Sequence, residues 1–406
     1  MQSPRAQPSF QHLEAEWSQR EWEMIGRAQA LAPTVAARAP QAEALRRIPD
    51  ETESDFRAAG FFQIMQPARY GGLESRYGLH TILAMEVARG CASSGWILSV
   101  TACHSWILGM FPREAQDEIW GVDPQATIAS SFLAVQPRVT PKEGGGIRLS
   151  GRWRFSTHVH HCQAALVIAM VPVSEGIMKQ VFVLLPRSDY RIEDQWNVVG
   201  LCATGSNDIL VEDVFVPQHR LLDVMSTRIG NTPGGAANQN YTFSLPLFAP
   251  FAHSLAGAAI GAAQGALDVI IEELDTKRSV ANVRLADQQT IQIRIAEAAA
   301  EIEAAYALLA MDRQRINASG RDRKLPDDAQ RVKYRLNAGY ATKLCVQAVE
   351  RLLPIGGGRG LETGHPLQRA WRDVHAVAQH IALTWDVQAL NYGAVRLGGK
   401  AGDPRI

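Results

Sequence analysis

The sequence predicts an α+β chain in three successive parts: an N-terminal helical domain over residues 1–122, a central β-domain over 123–228 and a C-terminal helical bundle over 229–406. Three observations predict it. Up to about residue 120, apolar residues recur at helical spacing with short breaks. Between about 125 and 225, short β-rich runs alternate with turn residues. From about 243 to 396 the helical spacing returns in four long segments. No internal repeat or low-complexity segment interrupts this order.

The elements follow in turn. Residues 13–37 mix charged and apolar residues at helical spacing. Thr52-Glu53-Ser54-Asp55-Phe56 begins a second helix that runs out at Gly60. Pro67-Ala68-Arg69-Tyr70-Gly71-Gly72 is a turn, and residues 79–110, rich in apolar and small side chains, are two buried helices. Strands are expected at 126–132, 147–149, 165–171, 180–185 and 209–216. Glu143-Gly144-Gly145-Gly146 is a hairpin turn; no helix follows it to make a phosphate loop. Residues 230–240 are a Gly/Pro/Asn loop. Gly257, Gly261 and Gly265 recur every four residues, a stripe suited to close helix packing. Near the C-terminus, Ile355-Gly356-Gly357-Gly358-Arg359-Gly360 lets backbone N–H groups approach a phosphate.

Bulk properties narrow the function. The 406 residues carry 41 Lys+Arg against 41 Asp+Glu, so no global field attracts nucleic acid or an anionic membrane. No run of uncharged apolar residues is long enough to predict a membrane-spanning helix. Met1-Gln2-Ser3-Pro4-Arg5 lacks the apolar core of a secretory signal. Cys91, Cys103, Cys162, Cys202 and Cys345 are odd in number, scattered and without a CxxC pair, which predicts free thiols in a reducing cytoplasm. His158, His160, His161 and Cys162 invite a metal. On a strand, however, His158 and His160 would share a face and His161 would point away. With no second ligand cluster in view, no metal is expected.

Four motifs in order resemble the acyl-CoA dehydrogenase superfamily over nearly the whole chain. They are Glu212-Asp213-Val214-Phe215-Val216-Pro217; Leu255-Ala256-Gly257-Ala258-Ala259-Ile260-Gly261-Ala262-Ala263-Gln264-Gly265; Arg278 with Gln289 eleven residues later; and the late glycine cluster followed by Arg372-Asp373. The resemblance implies a helical N-terminal domain, a central β-barrel or sandwich and a C-terminal four-helix bundle, assembled as a homotetramer. The two places where that superfamily carries its catalytic glutamate correspond here to Ile381 and Phe251. A hydrocarbon side chain cannot abstract a proton, so the dehydrogenase reaction is not expected.

The departures resemble one branch, the two-component reduced-flavin-dependent monooxygenases, including 4-hydroxyphenylacetate 3-hydroxylase oxygenase components and steroid-degradation phenol hydroxylases. The matching residues are Gly95-Trp96, His104, Gln116-Asp117-Glu118-Ile119-Trp120, Ser130-Ser131-Phe132, Gly151-Arg152-Trp153-Arg154-Phe155-Ser156, Thr204-Gly205-Ser206, and Arg372-Asp373 with His380.

That branch implies an oxygenase component which takes reduced FAD or FMN from a separate NAD(P)H:flavin reductase. Oxygen adds at flavin C4a, and the hydroperoxide hydroxylates a small aromatic, phenolic substrate. The resemblance makes His104, His380 and Ser156 the catalytic set, with Ser156 at the flavin N5 edge. Ser131, Phe132, Phe155, Ser156, Thr204 and Ser206 would hold the flavin. Arg278, Gln289, Gly356, Gly357 and Gly358 would meet its phosphates across a subunit interface. Trp96, His104, Tyr241, Phe248 and His380 would line the substrate. His375 lies five residues before His380, about 140° round a helix, and is assigned a structural role. The alternatives left open are N-, S- or indole oxygenation on the same fold, a dehydrogenase with an atypical base, and a non-catalytic binding protein.

Overall fold

In the computed structural model, residues 17–279 and 281–406 are described. The signal-peptide reading at residues 1–5 and the expected helix start at residue 13 lie outside them. The first helix, α1 (Gln19–Leu45), begins at a capping box in which Ser18 and Glu21 bond each other's backbone N–H. Asp50, Glu51 and Glu53 crowd the first turn of α2 (Asp50–Ala59), where the positive end of the helix dipole stabilises negative charge. Gly60 closes α2 in the left-handed conformation, at φ 77°. The two buried helices expected in 79–110 are α3 (Leu79–Ala88) and α4 (Ala92–Leu108). Every residue of α4 is buried, so it is a core helix with no solvent face. α5 (Arg113–Trp120) leads into the sheets.

The strands are β1 (Ile128–Ser131), β2 (Leu133–Pro141), β3 (Ile147–Ser156), β4 (Ala164–Ser174), β5 (Ile177–Pro186), β6 (Arg191–Glu193), β7 (Asn207–Val216) and β8 (Leu221–Asp223). They form two four-stranded sheets, ordered β1-β4-β5-β8 and β2-β3-β7-β6. β1 runs parallel to β4 and the other pairs are antiparallel. Leu149, Trp153, Val167, Val183, Ile209 and Val211 share one core between the sheets. The Trp153 indole donates to Ile168 O at 2.8 Å, so a single side chain of β3 ties the two layers of the sandwich. Gly144, Gly145 and Gly146, at φ 81°, 100° and 84°, turn β2 into β3. This is the hairpin the sequence predicts.

The 230–240 stretch departs from the expected loop. After α6 (Val224–Arg228), α7 (Pro233–Ala237) forms a short helix there. Thr232 Oγ accepts the Gly235 N–H at 3.0 Å and Pro233 occupies the first helical position, a start signal hidden among glycines. The C-terminal region also differs from four long segments. Three helices are long, α8 (Phe248–Leu274), α9 (Gln289–Arg321) and α10 (Asp328–Gly356), and two are short, α11 (Pro366–Ala378) and α12 (Trp385–Arg396). A turn at His380, whose carbonyl accepts the N–H groups of Leu383 and Thr384, separates the last two.

α8 sits centrally, against α3, α4, α10 and α11. It is long and apolar enough to cross a membrane, but most of its apolar window is buried inside the protein. The glycine stripe lies flat on the carbonyls of α3 and the residue after it. A Cβ at Gly257 would meet Thr81 O at 2.8 Å, one at Gly261 would meet Met85 O at 2.1 Å, and one at Gly265 would meet Arg89 O at 2.2 Å. These obstacles are backbone and cannot rotate away. Gly261→Ala should therefore destabilise by about 2 kcal/mol or more in urea unfolding. Gly26→Ala, where nothing lies within 4 Å, should stabilise α1 by about 0.5–1 kcal/mol. Equal effects at the two glycines would show that α3 and α8 are not in this contact.

Candidate active site

α4 carries His104 into the core beside β1. Its Nδ1 lies 2.8 Å from Ile128 O and its Nε2 2.7 Å from Ser130 Oγ. A carbonyl only accepts, so Nδ1 bears the proton and Nε2 accepts from the Ser130 hydroxyl. Burial pushes the His104 pKa down to about 4, against the opposing pull of Ile128 O. The ring is therefore neutral with a fixed tautomer. Ser130 keeps lone pairs for one more donor, and a proton arriving there has His104 behind it.

Ser130 belongs to a motif the sequence singles out, yet only its neighbour Ser131 carries an assigned role. Alternation along the strand sends the two side chains to opposite faces, and Ser131 Oγ bonds Arg154 O on β3. Nothing in the sequence tells which of the pair faces α4. That follows from the pairing of β1 with β4.

Trp96, also on α4, donates its indole N–H to Thr157 Oγ1 at 3.3 Å. Thr157 bonds Ser206 at 2.9 Å, Ser206 bonds Thr204 at 2.7 Å, and Thr204 bonds Leu201 O at 2.9 Å. The indole can only donate and the carbonyl only accept, so the chain of hydroxyls has one sense throughout. The hydroxyls of Thr204 and Ser206, expected at the flavin, are thus internal to a buried network. Leu201 N–H in turn donates to Asp373 at 2.6 Å, and burial raises that carboxyl to about 7. Arg372 pairs with Glu43 of α1 at 2.7 Å and donates to Val199 O. Arg372-Asp373 therefore fastens the 199–201 segment and α1 to α11.

His380 meets Trp96 edge-on, with ring centroids 5.7 Å apart. Its Nδ1 accepts the Ala382 N–H at 3.1 Å, which leaves the proton of a neutral ring on Nε2. Burial, then the Arg335 guanidinium, lowers its pKa. His375 is held by Trp371 O and Glu350 instead. The two places of the missing glutamate are Ile381, exposed, and Phe251, buried.

Ser156 ends β3 and is fully buried, and its hydroxyl has no partner among the described residues. The residue before it, Phe155, holds φ 68°, a strained value for a bulky side chain. The Phe155 ring lies half-exposed between Arg154 and Trp196. Phe132 packs with Phe182, Phe248 and Phe251, at centroid separations of 5.4, 6.4 and 6.3 Å. These rings supply a dry aromatic wall next to the Ser130-Ser131 pair.

Of the expected phosphate residues, Gly356 is buried against Leu367 and the others lie on the surface. Arg278 and Gln289 are exposed, and Arg278 bonds Asn282 O. A Cβ at Gly357 or Gly358 would meet nothing within 4 Å, so this backbone is open to a ligand from outside. Lys277, absent from the sequence-based set, bonds Ile355 O and Gly356 O at 3.2 and 2.9 Å. It brings the Arg278 segment to the glycine cluster.

Two expectations shift. Tyr241 gives its hydroxyl to Asn317 of α9, and its ring fills the space above Gly320. His158 is not on a strand. It holds φ 64° before a 3-10 turn at Val159–His161, so strand alternation does not apply and His158 stacks on His161 at 4.9 Å. Ligand-type atoms of Glu53, His158 and His161 fall within 4.8 Å of one another. The sequence does not reveal Glu53, a hundred residues earlier on α2. Burial alone would raise its carboxyl, but His158 and Arg57 hold it below the usual range. Arg57, at 2.8 Å, makes the cluster an ion-pair network.

Residues 25–122 match the family described as "Acyl-CoA dehydrogenase, N-terminal domain", and residues 253–385 match "Acyl-CoA dehydrogenase, C-terminal domain". The chain is 36% identical over 388 residues to the FADH(2)-dependent resorcinol hydroxylase, oxygenase component, of Rhizobium sp. (strain MTP-10005), covering 92% of this chain and 94% of that protein. It superposes on the crystal structure of 3-HSA hydroxylase from Rhodococcus sp. RHA1 with a TM-score of 0.89 and 32% identity, covering 95% and 99% of the two chains. XiaF from Streptomyces sp., in complex with FADH2 and glycerol, superposes at TM-score 0.88 and 27% identity, covering 97% and 100%.

Three histidine rings give the protein a pH signature. Burial lowers His104 and His380 to about 4 and His80 to about 3. Unfolded histidine titrates near 6.5, so the folded state binds fewer protons between pH 6.5 and about 4. Stability should rise with pH across that window. Asp373, raised to about 7, works in the opposite direction between about pH 4 and 7. Urea unfolding at a series of pH values should show a shallower slope for His104→Gln than for the wild type and a steeper one for Asp373→Asn. Superimposable slopes would mean that these groups titrate as they do in the unfolded chain.

Proposed function

The chain belongs to the two-component, reduced-flavin-dependent monooxygenases built on the acyl-CoA dehydrogenase fold, and from that membership we propose that its aromatic substrate is a phenol hydroxylated ortho to its hydroxyl. The protein is the oxygenase component, using reduced flavin and oxygen to hydroxylate an aromatic compound. The observation that carries the phenol is the buried His104–Ser130 pair.

The residues present fit a flavin. Ser156 offers a fully buried hydroxyl with no partner among the described residues, and leaving such a group unbonded costs about 1–3 kcal/mol. Bound reduced flavin supplies oxygen activation and transfer of one oxygen atom to the ring. Ser156 Oγ would bond the flavin edge at the end of β3. Gly357 and Gly358, with Lys277 and Arg278 beside them, would take its phosphates, and Gln289 would assist from a neighbouring subunit of a homotetramer. FAD and FMN both remain compatible with that surface. A separate flavin reductase and a cytoplasmic setting complete the proposal.

The phenol hydroxyl would donate to Ser130 Oγ, which already donates to His104 Nε2. As the ring is attacked and its hydroxyl grows more acidic, the proton shifts to Ser130 and the Ser130 proton to His104 Nε2. The neutral His104 makes this possible, because a protonated ring could not accept. His380 would present its Nε2–H and act as a donor. Phe132, Phe182, Phe248 and Phe251 exclude water, which protects the reaction from unproductive loss of oxygen as peroxide.

The purified protein with reduced FAD or FMN, oxygen and a panel of phenols should give catechol products. Absence of product with every phenol, or anaerobic reduction of bound oxidised flavin by an acyl-CoA, would defeat the reading. His104→Asn and Ser130→Ala should each cut product per flavin oxidised by about tenfold or more while peroxide yield rises. Ser156→Ala should leave flavin affinity largely intact and speed peroxide release about tenfold, the equivalent of one lost hydrogen bond. An unchanged partition between product and peroxide would remove Ser156 from the mechanism.

A further inference from the structure

We propose that the substrate's ring carries an anionic substituent of the carboxylate class, and that Arg335 is the residue that holds it. This rests on the phenol hydroxylase reading above.

Arg335 lies on α10 at 5% exposure. Its Nε donates to Gln388 Oε1 and its Nη1 to Phe248 O, both at 3.3 Å. Both acceptors are neutral and both contacts are long for a guanidinium. Nη2 has no partner among the described residues, and no described carboxylate lies within salt-bridge distance. The acid that acts on it most, Asp403, is already gripped by Arg405 through two contacts of 2.8 and 2.9 Å. Burial lowers the Arg335 pKa to about 10, so it stays charged near neutrality.

The same side chain lines a cavity of about 580 Å³, with Ile381, Val387, Leu390, Asp403 and Arg405 among its walls. That volume suits a small aromatic acid. Its side chains include two guanidinium groups and one carboxylate, and that carboxylate, Asp403, is taken by Arg405. An unpaired buried cation is costly, and a bidentate carboxylate is the partner its planar fork fits best. One monoanion would pair with the Arg335 guanidinium.

Two neighbours relate the cavity to the catalytic groups. Ile381 follows His380, whose pKa the Arg335 charge helps to lower. Phe248, whose carbonyl Arg335 holds, packs its ring on Phe132, two residues after Ser130. A substrate with its hydroxyl at Ser130 would therefore extend its far end past Phe248 toward Arg335. The tail at 402–406 closes that end, with Arg405 over the Phe248 ring at 4.8 Å and Ile406 O held by Arg228.

The test uses the full chain with reduced flavin and three matched pairs: hydroxybenzoate, hydroxyphenylacetate and hydroxyphenylpropionate, each beside its own neutral amide. In at least one pair the acid should show a KM at least tenfold below that of the amide. Arg335→Gln should raise the acid's KM about tenfold or more while the amide's KM and both kcat values hold. Arg335→Lys should fall between. Amides that serve as well as acids in every pair overturn the inference, and that comparison needs only wild-type protein, so a poorly folding variant does not obscure it. Loss of affinity for acid and amide alike in Arg335→Gln overturns it too, by showing that Arg335 only supports the tail. If neutral phenols are hydroxylated and acids are not preferred, this inference alone falls. If no phenol of either kind is hydroxylated, the phenol reading falls first.

Discussion

Complete burial of α4 is the constraint on which the rest of the site depends. A helix without a solvent face must find protein partners for its polar side chains or lose their hydrogen bonds. α4 finds them in all three parts of the chain. His104 takes Ile128 and Ser130 from β1. Trp96 takes Thr157 beyond β3. Cys103 takes Ser254 from α8, which also bonds His80 of α3. Ser105 takes Phe62 O, and Trp106 takes Thr242 O. Ser99 and Thr101 are the exceptions, with hydroxyls that meet no partner among the described residues. Specificity of docking follows from this requirement: a shift of α4 by one residue would strand several polar groups at once.

The two histidines acquire opposite characters from their second nitrogens. Ile128 O fixes the His104 proton on Nδ1 and so makes Nε2 an acceptor. The Ala382 N–H occupies Nδ1 of His380 and so makes its Nε2 a donor. Neither ring is charged near neutrality, and burial is the common cause. A neutral acceptor and a neutral donor suit the proposed reaction, which moves one proton off a hydroxyl without a free charge. The hydroxyl chain from Trp96 to Leu201 and on to Asp373 then connects the packing of His380 to α11. The Arg-Asp pair that marks the resemblance thus supports the site from behind.

Much of this was legible beforehand, and the limits have physical reasons. The order of helices, sheets and helices followed from periodicity. The glycine stripe on α8 could be read as close packing because its spacing alone places the glycines on one face. α7 was missed because Thr232 and Pro233 carry a start signal inside a glycine-rich run, where composition outweighs it. The His158 reading failed because strand alternation applies only while the strand lasts, and β3 ends at Ser156.

The sequence by itself determined the fold class, the family and the residue types available for chemistry, because those depend on local periodicity and on motif order along the chain. Tertiary structure alone decided which of Ser130 and Ser131 meets His104. It also decided that Glu53 joins His158 and His161, that Lys277 reaches the glycine cluster, and that Arg335 lines a cavity with no described carboxylate within salt-bridge distance of it. Each is a contact between residues far apart in the chain. No local propensity encodes such a meeting; it exists only once helices and sheets have packed.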